Sequence, residues 1–181
     1  MGYCGGVRDE PTYKKVCNDA EYDDWAEAIQ LQFDPSVLSY QTLLDAFFRA
    51  HDHIGGGRSR QYSSIIFAHD DAQRAAAHAA LALRPRSSTS VEELQPFWQA
   101  EPYHQKWLLQ RKRDLLFSLQ LCEYDELIAA PAATVLNAVA AGKLPGGVAQ
   151  QRLDVLVGRG EMTPQAHETA TAALWQVRGV Y

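Results

Sequence analysis

The sequence predicts an α+β fold: a two-layer domain with one sheet and helices on one face, followed by an all-helical extension. Three observations lead there. Glu27 to Phe33 alternates polar and apolar residues, and Tyr62 to Ala68 is a short run rich in β-branched and aromatic residues, so both read as strands. Each is followed by a capped helical pattern, which gives the order strand, helix, strand, helix. From about Glu123 the chain holds only short helices with proline starts and glycine stops. The expected domains are therefore 1–122 and 123–181.

Taken in order, Gly2-Tyr3-Cys4-Gly5-Gly6 suggests a tight turn or a backbone that approaches another group closely. Glu10 to Tyr13 is extended, and the polar stretch Lys14 to Asp24 reads as a loop. Asp34-Pro35 closes the first strand. Ser39 caps a helix running to about Ala50, with Leu43, Leu44, Phe47 and Phe48 as its apolar stripe. Gly55-Gly56-Gly57 opens a loop reaching Gln61. Asp70 caps an alanine-rich helix, with Gln73 as a capping-box partner. Ser87 to Leu94 holds a short edge strand. A long helix is expected from His104 to Cys122. Pro131 starts one tail helix and Gly142 ends it. Gln150 to Val157 forms the next. Thr163-Pro164 starts the last, which carries Ala172, Leu174, Trp175 and Val177.

At 181 residues, 46% hydrophobic and 22% charged, the chain can bury a core without staples. Its net charge of -5 argues against nucleic acid as a partner, which calls for a basic stripe. No apolar run is long enough to span a membrane, so no membrane role is expected. Cys4, Cys17 and Cys122 are an odd, sparse set without Cys-x-x-Cys spacing, which suits free thiols in a reducing compartment. An intracellular, cytoplasmic location follows, with an organelle as the alternative if upstream sequence is missing. His51-x-His53 could be imagined as a metal pair, but no acidic or cysteine spacing completes it, and no metal is expected.

Glu27 is the acid of most interest. It lies near Tyr13, Tyr22 and Trp25 in sequence, and a carboxyl among aromatics is poorly solvated, which favours its neutral, proton-donating form. Several separated pieces then coincide: Gly2-Tyr3-Cys4-Gly5-Gly6, Pro11 to Cys17, Ala26-Glu27-Ala28-Ile29, Phe33 to Val37, Phe47 to Asp52, Gln61 to Ile66, and Ala100 to Gln105. In order and spacing this set resembles the A class of methionine sulfoxide reductases, the peptide-methionine (S)-S-oxide reductases, across about residues 2–109.

The resemblance implies a ferredoxin-like sheet, incomplete at its N-terminus, and a thiol-dependent reduction. A cysteine thiolate attacks the sulfoxide sulfur, and a glutamate and two tyrosines hold the oxygen until it leaves protonated. A second thiol resolves the sulfenic acid, and thioredoxin or another thiol reduces the disulfide, with no prosthetic cofactor. Carried onto this chain, the catalytic oxygen-holding residues are Glu27, Tyr13 and Tyr62. Trp25, His104 and Trp107 fall at substrate-binding positions, with Trp25 in place of a usual histidine and Trp107 in place of a more usual tyrosine.

The family's nucleophile stands in a Gly-Cys-Phe-Trp motif upstream of Gly-Tyr-x-Gly-Gly. The 181 residues contain no such motif. The expectation is a chain truncated at its N-terminus relative to the family and inactive alone. Cys17 matches a family cysteine that is not the nucleophile. Cys122 is a possible resolving thiol or a buried small hydrophobe, and Cys4 a possible stray reactive thiol. The alternative reading is a non-catalytic module that binds sulfoxide or docks a partner.

Overall fold

A computed structural model describes residues 1–56 and 59–176; Gly57 and Arg58 of the glycine loop, and Val177 of the last helix, lie outside the described residues. The chain forms two compact units, Met1–Glu101 and Pro102–Tyr181. The α+β class holds, and the strands form two small sheets within the first unit.

The first sheet has the order β2-β1-β5, built from β1 (Gly2–Cys4), β2 (Ala26–Ala28) and β5 (Trp98–Gln99). Both pairings are antiparallel, with Tyr3 opposite Glu27 on one side and opposite Trp98 on the other. Gly6 accounts for the close approach foreseen in the glycine run: a Cβ there would lie 2.3 Å from the Trp25 ring. Trp25, Tyr3, Val16 and Ala100 are buried together beneath this sheet.

Two readings of this stretch are corrected. The first strand stops at Ala28, and Ile29 and Leu31 are exposed, because alternation can only offer an apolar face and does not supply a partner for it. The supposed loop after Tyr13 contains α1 (Tyr13–Asn18), whose N-cap is Thr12, and a 3₁₀ turn at Ala20–Tyr22.

The second sheet pairs β3 (Ile65–Ala68) with β4 (Ser90–Glu93) in parallel, joined through α3 (Asp71–Ala82). Asp70 caps α3 by accepting from Gln73 N at 2.7 Å, and the Gln73 side chain accepts from His69 N at 3.2 Å. The helix before β3, α2 (Tyr40–Ala50), is capped by Ser39, which accepts from Thr42 N at 3.2 Å. Leu44 and Phe48 of α2 pack with Ile66, Ala77 and Ala80, so the predicted stripe and the two strands meet in one small core.

The second unit is helical: α4 (Trp107–Gln110), α5 (Arg113–Ser118), α6 (Tyr124–Ala129), α7 (Pro131–Ala140), α8 (Gly146–Gly158) and α9 (Pro164–Leu174). The long helix expected over His104 to Cys122 is broken at Lys112. Leu109 and Leu115 are both fully buried in the same core, yet six residues on one straight helix would turn them about 120° apart. Breaking the helix lets both face inward. The tail signals work as read. Pro131 and Pro164 stand at the first helical position, Thr163 accepts from Ala166 N at 3.1 Å, and Gly142 takes the left-handed conformation that ends α7. Among the described residues no helix is long and apolar enough to cross a membrane.

Candidate functional site

Three elements of the first unit converge. The strand β2 carries Glu27. The helix α1 carries Tyr13 and, one turn on, Cys17, and residues four apart lie on one face of a helix. The 3₁₀ turn Arg60–Tyr62 carries Gln61 and Tyr62.

Gln61 ties the three together. Its side chain is buried, and its amide nitrogen donates to Glu27 Oε1 at 2.8 Å and to Cys17 Sγ at 3.0 Å. The Tyr13 hydroxyl also hydrogen-bonds the Cys17 side chain. That bond, with the electrostatic influence of the neighbouring Cys17, Tyr62 and Glu27 side chains, raises Tyr13 above the usual phenol value. Tyr62 is raised too, by partial desolvation and then by Glu27 and Cys17. Both phenols therefore keep their protons at neutral pH and face solvent as donors, Tyr13 being 41% and Tyr62 62% exposed.

Two further carboxylates hold the elements that carry this cluster. Glu101 accepts from the Tyr3 hydroxyl and from Tyr13 N, both at 2.8 Å, so a single side chain joins β1 to the first turn of α1. A carboxylate there also complements the positive end of the helix. Glu92 grips Arg60 in a two-pronged pair at 3.0 and 2.6 Å, while Arg60 Nε donates to Asp24 O at 2.7 Å. The guanidinium holds the Glu92 carboxyl below its ordinary range, and the carboxylate in turn raises Arg60. These bonds fix the turn that presents Gln61 and Tyr62.

The structure thus gathers Tyr13, Glu27 and Tyr62, and adds Cys17, Gln61 and Glu101, to which the sequence reading gave no role. Their signal was present only as adjacency within the quoted pieces: Gln61 precedes Tyr62, and Cys17 follows Tyr13 by one helical turn.

Two expectations are corrected. Trp25 is 1% exposed and packed against Gly6, so its ring has no face left for a substrate. Cys4 is fully buried, its thiol donates to Gln95 O at 3.5 Å, and burial raises its pKa, which makes it an inert thiol. Three other residues named from the sequence belong to the second unit. His104 stacks at a tilt on Tyr103, with ring centroids 4.3 Å apart. Trp107 is half exposed, with the Arg111 guanidinium 4.8 Å from its ring centroid. Cys122 is exposed, ahead of α6. Among the described residues, no group of three or more His, Cys, Asp or Glu side chains is placed to hold a metal ion.

Phenolic donors and an acid close together are suited to holding an oxygen that gains negative charge. A model of the family described as peptide methionine sulfoxide reductase matches residues 1–130. The chain belongs to the peptide methionine sulfoxide reductase family. It is 37% identical over 157 residues to a peptide methionine sulfoxide reductase of Drosophila melanogaster, a match covering 83% of this chain and 60% of that one. It is 40% identical over 123 residues to the peptide methionine sulfoxide reductase MsrA of Haloquadratum walsbyi, covering 62% of this chain and 70% of that one. A third relative, the peptide methionine sulfoxide reductase MsrA of Methanothermobacter thermautotrophicus, is 35% identical over 133 residues, covering 67% and 78%. Against the Drosophila reductase, this family member spans less than two thirds of its relative's length.

Proposed function

We propose that this chain recognises methionine-S-sulfoxide in peptides and holds its oxygen between Tyr13, Glu27 and Tyr62, in service of thiol-dependent reduction of the sulfoxide to methionine. The observation that carries the reading is the proximity of two protonated phenols to Glu27, whose carboxyl accepts from the Gln61 amide. The family and the printed names of its relatives support the same substrate class.

The chemistry fits the residues. A sulfoxide oxygen is a strong acceptor and a poor leaving group until it is protonated. Two phenolic O–H groups bond it in the ground state, and the Glu27 carboxyl delivers the proton as the sulfur–oxygen bond weakens. The electrons come from a thiol, which a dithiol reductant such as thioredoxin restores. Such a cycle belongs in a reducing, intracellular compartment.

Binding tests the oxygen pocket separately from turnover. Titration of a methionine-S-sulfoxide peptide, followed by calorimetry, gives saturable binding. The methionine peptide and the R-sulfoxide epimer bind at least about tenfold more weakly, because each leaves the donors without their acceptor. Glu27→Ala and Tyr62→Phe each weaken the S-sulfoxide complex. Equal affinity for sulfoxide and thioether would remove the oxygen from the recognition and the reading with it.

A further inference from the structure

An amide side chain carries two N–H hydrogens and one carbonyl oxygen, so its partners fix which way it faces. Gln61 is buried, and its Nε2 donates to Glu27 Oε1 at 2.8 Å and to Cys17 Sγ at 3.0 Å. Turned over, the amide would set its own oxygen against a carboxyl oxygen and a sulfur, and leave both without this donor. The backbone beneath it is equally constrained. Arg60 is held by Glu92 and by Asp24 O, Ser63 N donates to Arg60 O at 3.0 Å, and Ser63 Oγ donates to Ser59 O at 3.0 Å. Gln61 therefore cannot withdraw without opening its turn.

We propose that Gln61 is a positioning residue: it holds the Glu27 carboxyl by Oε1, so that the acidic proton sits on Oε2 and is the one offered to the sulfoxide oxygen. This rests on the oxygen-holding reading, and gives a role within it to a side chain that acts only through Glu27.

The chemistry of the two groups supports the assignment. A neutral carboxyl has a carbonyl oxygen, which accepts well, and a hydroxyl oxygen, which carries the proton. The oxygen that takes the Gln61 N–H is the carbonyl one. Without that bond the carboxyl turns about its own axis and presents either oxygen. With it, one orientation and one proton site remain. The bond also strengthens as the proton departs, because an N–H bound to a carboxylate is shorter and stronger than one bound to a neutral carboxyl. A gain that grows during proton transfer favours the transfer itself. An uncharged amide suits this place, since it serves the acid before and after it gives up its proton. Cys17 completes the arrangement as an acceptor. Its sulfur takes the second N–H of Gln61 and also bonds the Tyr13 hydroxyl, so the amide that orients the acid is joined through one atom to a phenol of the same site.

The test reads the two amide hydrogens separately. In proton–nitrogen spectra of the labelled chain, the side-chain amide pair missing from Gln61→Met belongs to Gln61. Contacts of one of its protons with the Cys17 β-protons assign the same pair without any variant. Both protons are expected to exchange slowly with solvent. Glu27→Ala shifts one of them most, and Cys17→Ala the other. Calorimetry then reads the role. Gln61→Met weakens binding of a methionine-S-sulfoxide peptide about tenfold, the scale of one hydrogen bond to an ionisable group, and leaves the methionine peptide unchanged. A residue that only supported the fold would weaken both. Fast exchange of both Gln61 protons in the parent chain, or equal weakening of the two peptides by Gln61→Met, overturns the role of Gln61 and leaves the oxygen pocket standing. A parent chain with no preference for sulfoxide over thioether removes the pocket itself, and this role with it.

Discussion

In the second unit Leu109, Leu136, Leu153 and Leu174 are fully buried in one continuous cluster spanning six helices. The first unit divides its apolar burial between two small groups, one under each sheet, and leaves Ile29, Leu31 and Val37 exposed. What the first unit lacks in packing it makes up in side-chain bonds that reach far along the chain: Tyr3 to Glu101, Gln61 to Glu27, and Arg60 to Glu92. The contrast follows from what each unit contains. A helix satisfies its own backbone groups and can give a whole face to packing. A pocket built of phenols, an amide, a thiol and an acid needs polar side chains at close quarters, and these displace apolar contacts.

The contrast can be broken first at the cores. Trp25→Ala removes the largest fully buried side chain of the first unit, and truncation of this kind costs about 3–5 kcal/mol. Leu136→Ala in the second unit costs about 2–5 kcal/mol by the same mechanism. Urea unfolding followed by circular dichroism measures both. A loss below about 1 kcal/mol for Trp25→Ala, smaller than any buried aromatic truncation, would mean that the first unit is not held by its apolar groups at all.

A second, smaller effect concerns pH and sharpens the role of side-chain bonds. Arg60 lowers the folded value of Glu92 below its ordinary 4.5. The stabilisation from this pair is thus complete above that value and fades as pH falls through the lowered folded one, because the unfolded chain takes up the proton first. Urea midpoints measured from pH 7 downward should drop, and Glu92→Gln should flatten the fall. An unchanged slope in Glu92→Gln would assign the acid sensitivity elsewhere.

The smallest difference is expected at the helix starts. Ser39→Ala in α2 and Thr163→Ala in α9 should each cost about 1 kcal/mol, since each cap closes one local bond. A clear inequality between the two would show that the surrounding core, rather than the cap, sets the cost.

The caps were also the most legible part of the sequence. Ser39, Asp70 and Thr163-Pro164 act within four residues, and so does the signal that announces them. Features resting on distant partners were misread. The helix α1 was taken for a loop because its residues are polar; part of its first turn is held by Glu101, 88 positions away. The strand at Glu27 was drawn too long because Ile29, Leu31 and Phe33 alternate correctly without a partner to pack on. The break between Leu109 and Leu115 comes from the shape of the core they share. In the candidate site, Tyr13, Glu27 and Tyr62 came from the resemblance. The contacts of Cys17 and Gln61 depend on how α1 and the 3₁₀ turn face β2, which no local pattern encodes.

The Glu101 carboxylate has a further consequence for how the first unit is made. It is the last residue of that unit, and its two oxygens reach back 98 positions to Tyr3 and 88 to Tyr13. The strand that completes the first sheet, Trp98–Gln99, comes only just before it. A chain emerging from the ribosome therefore exposes Tyr13, Cys17 and Glu27 before Glu101, yet cannot seat them until Glu101 is free to fold. The residues of the site precede the residue that frames them, so a product that stops short of Glu101 would carry them without that frame.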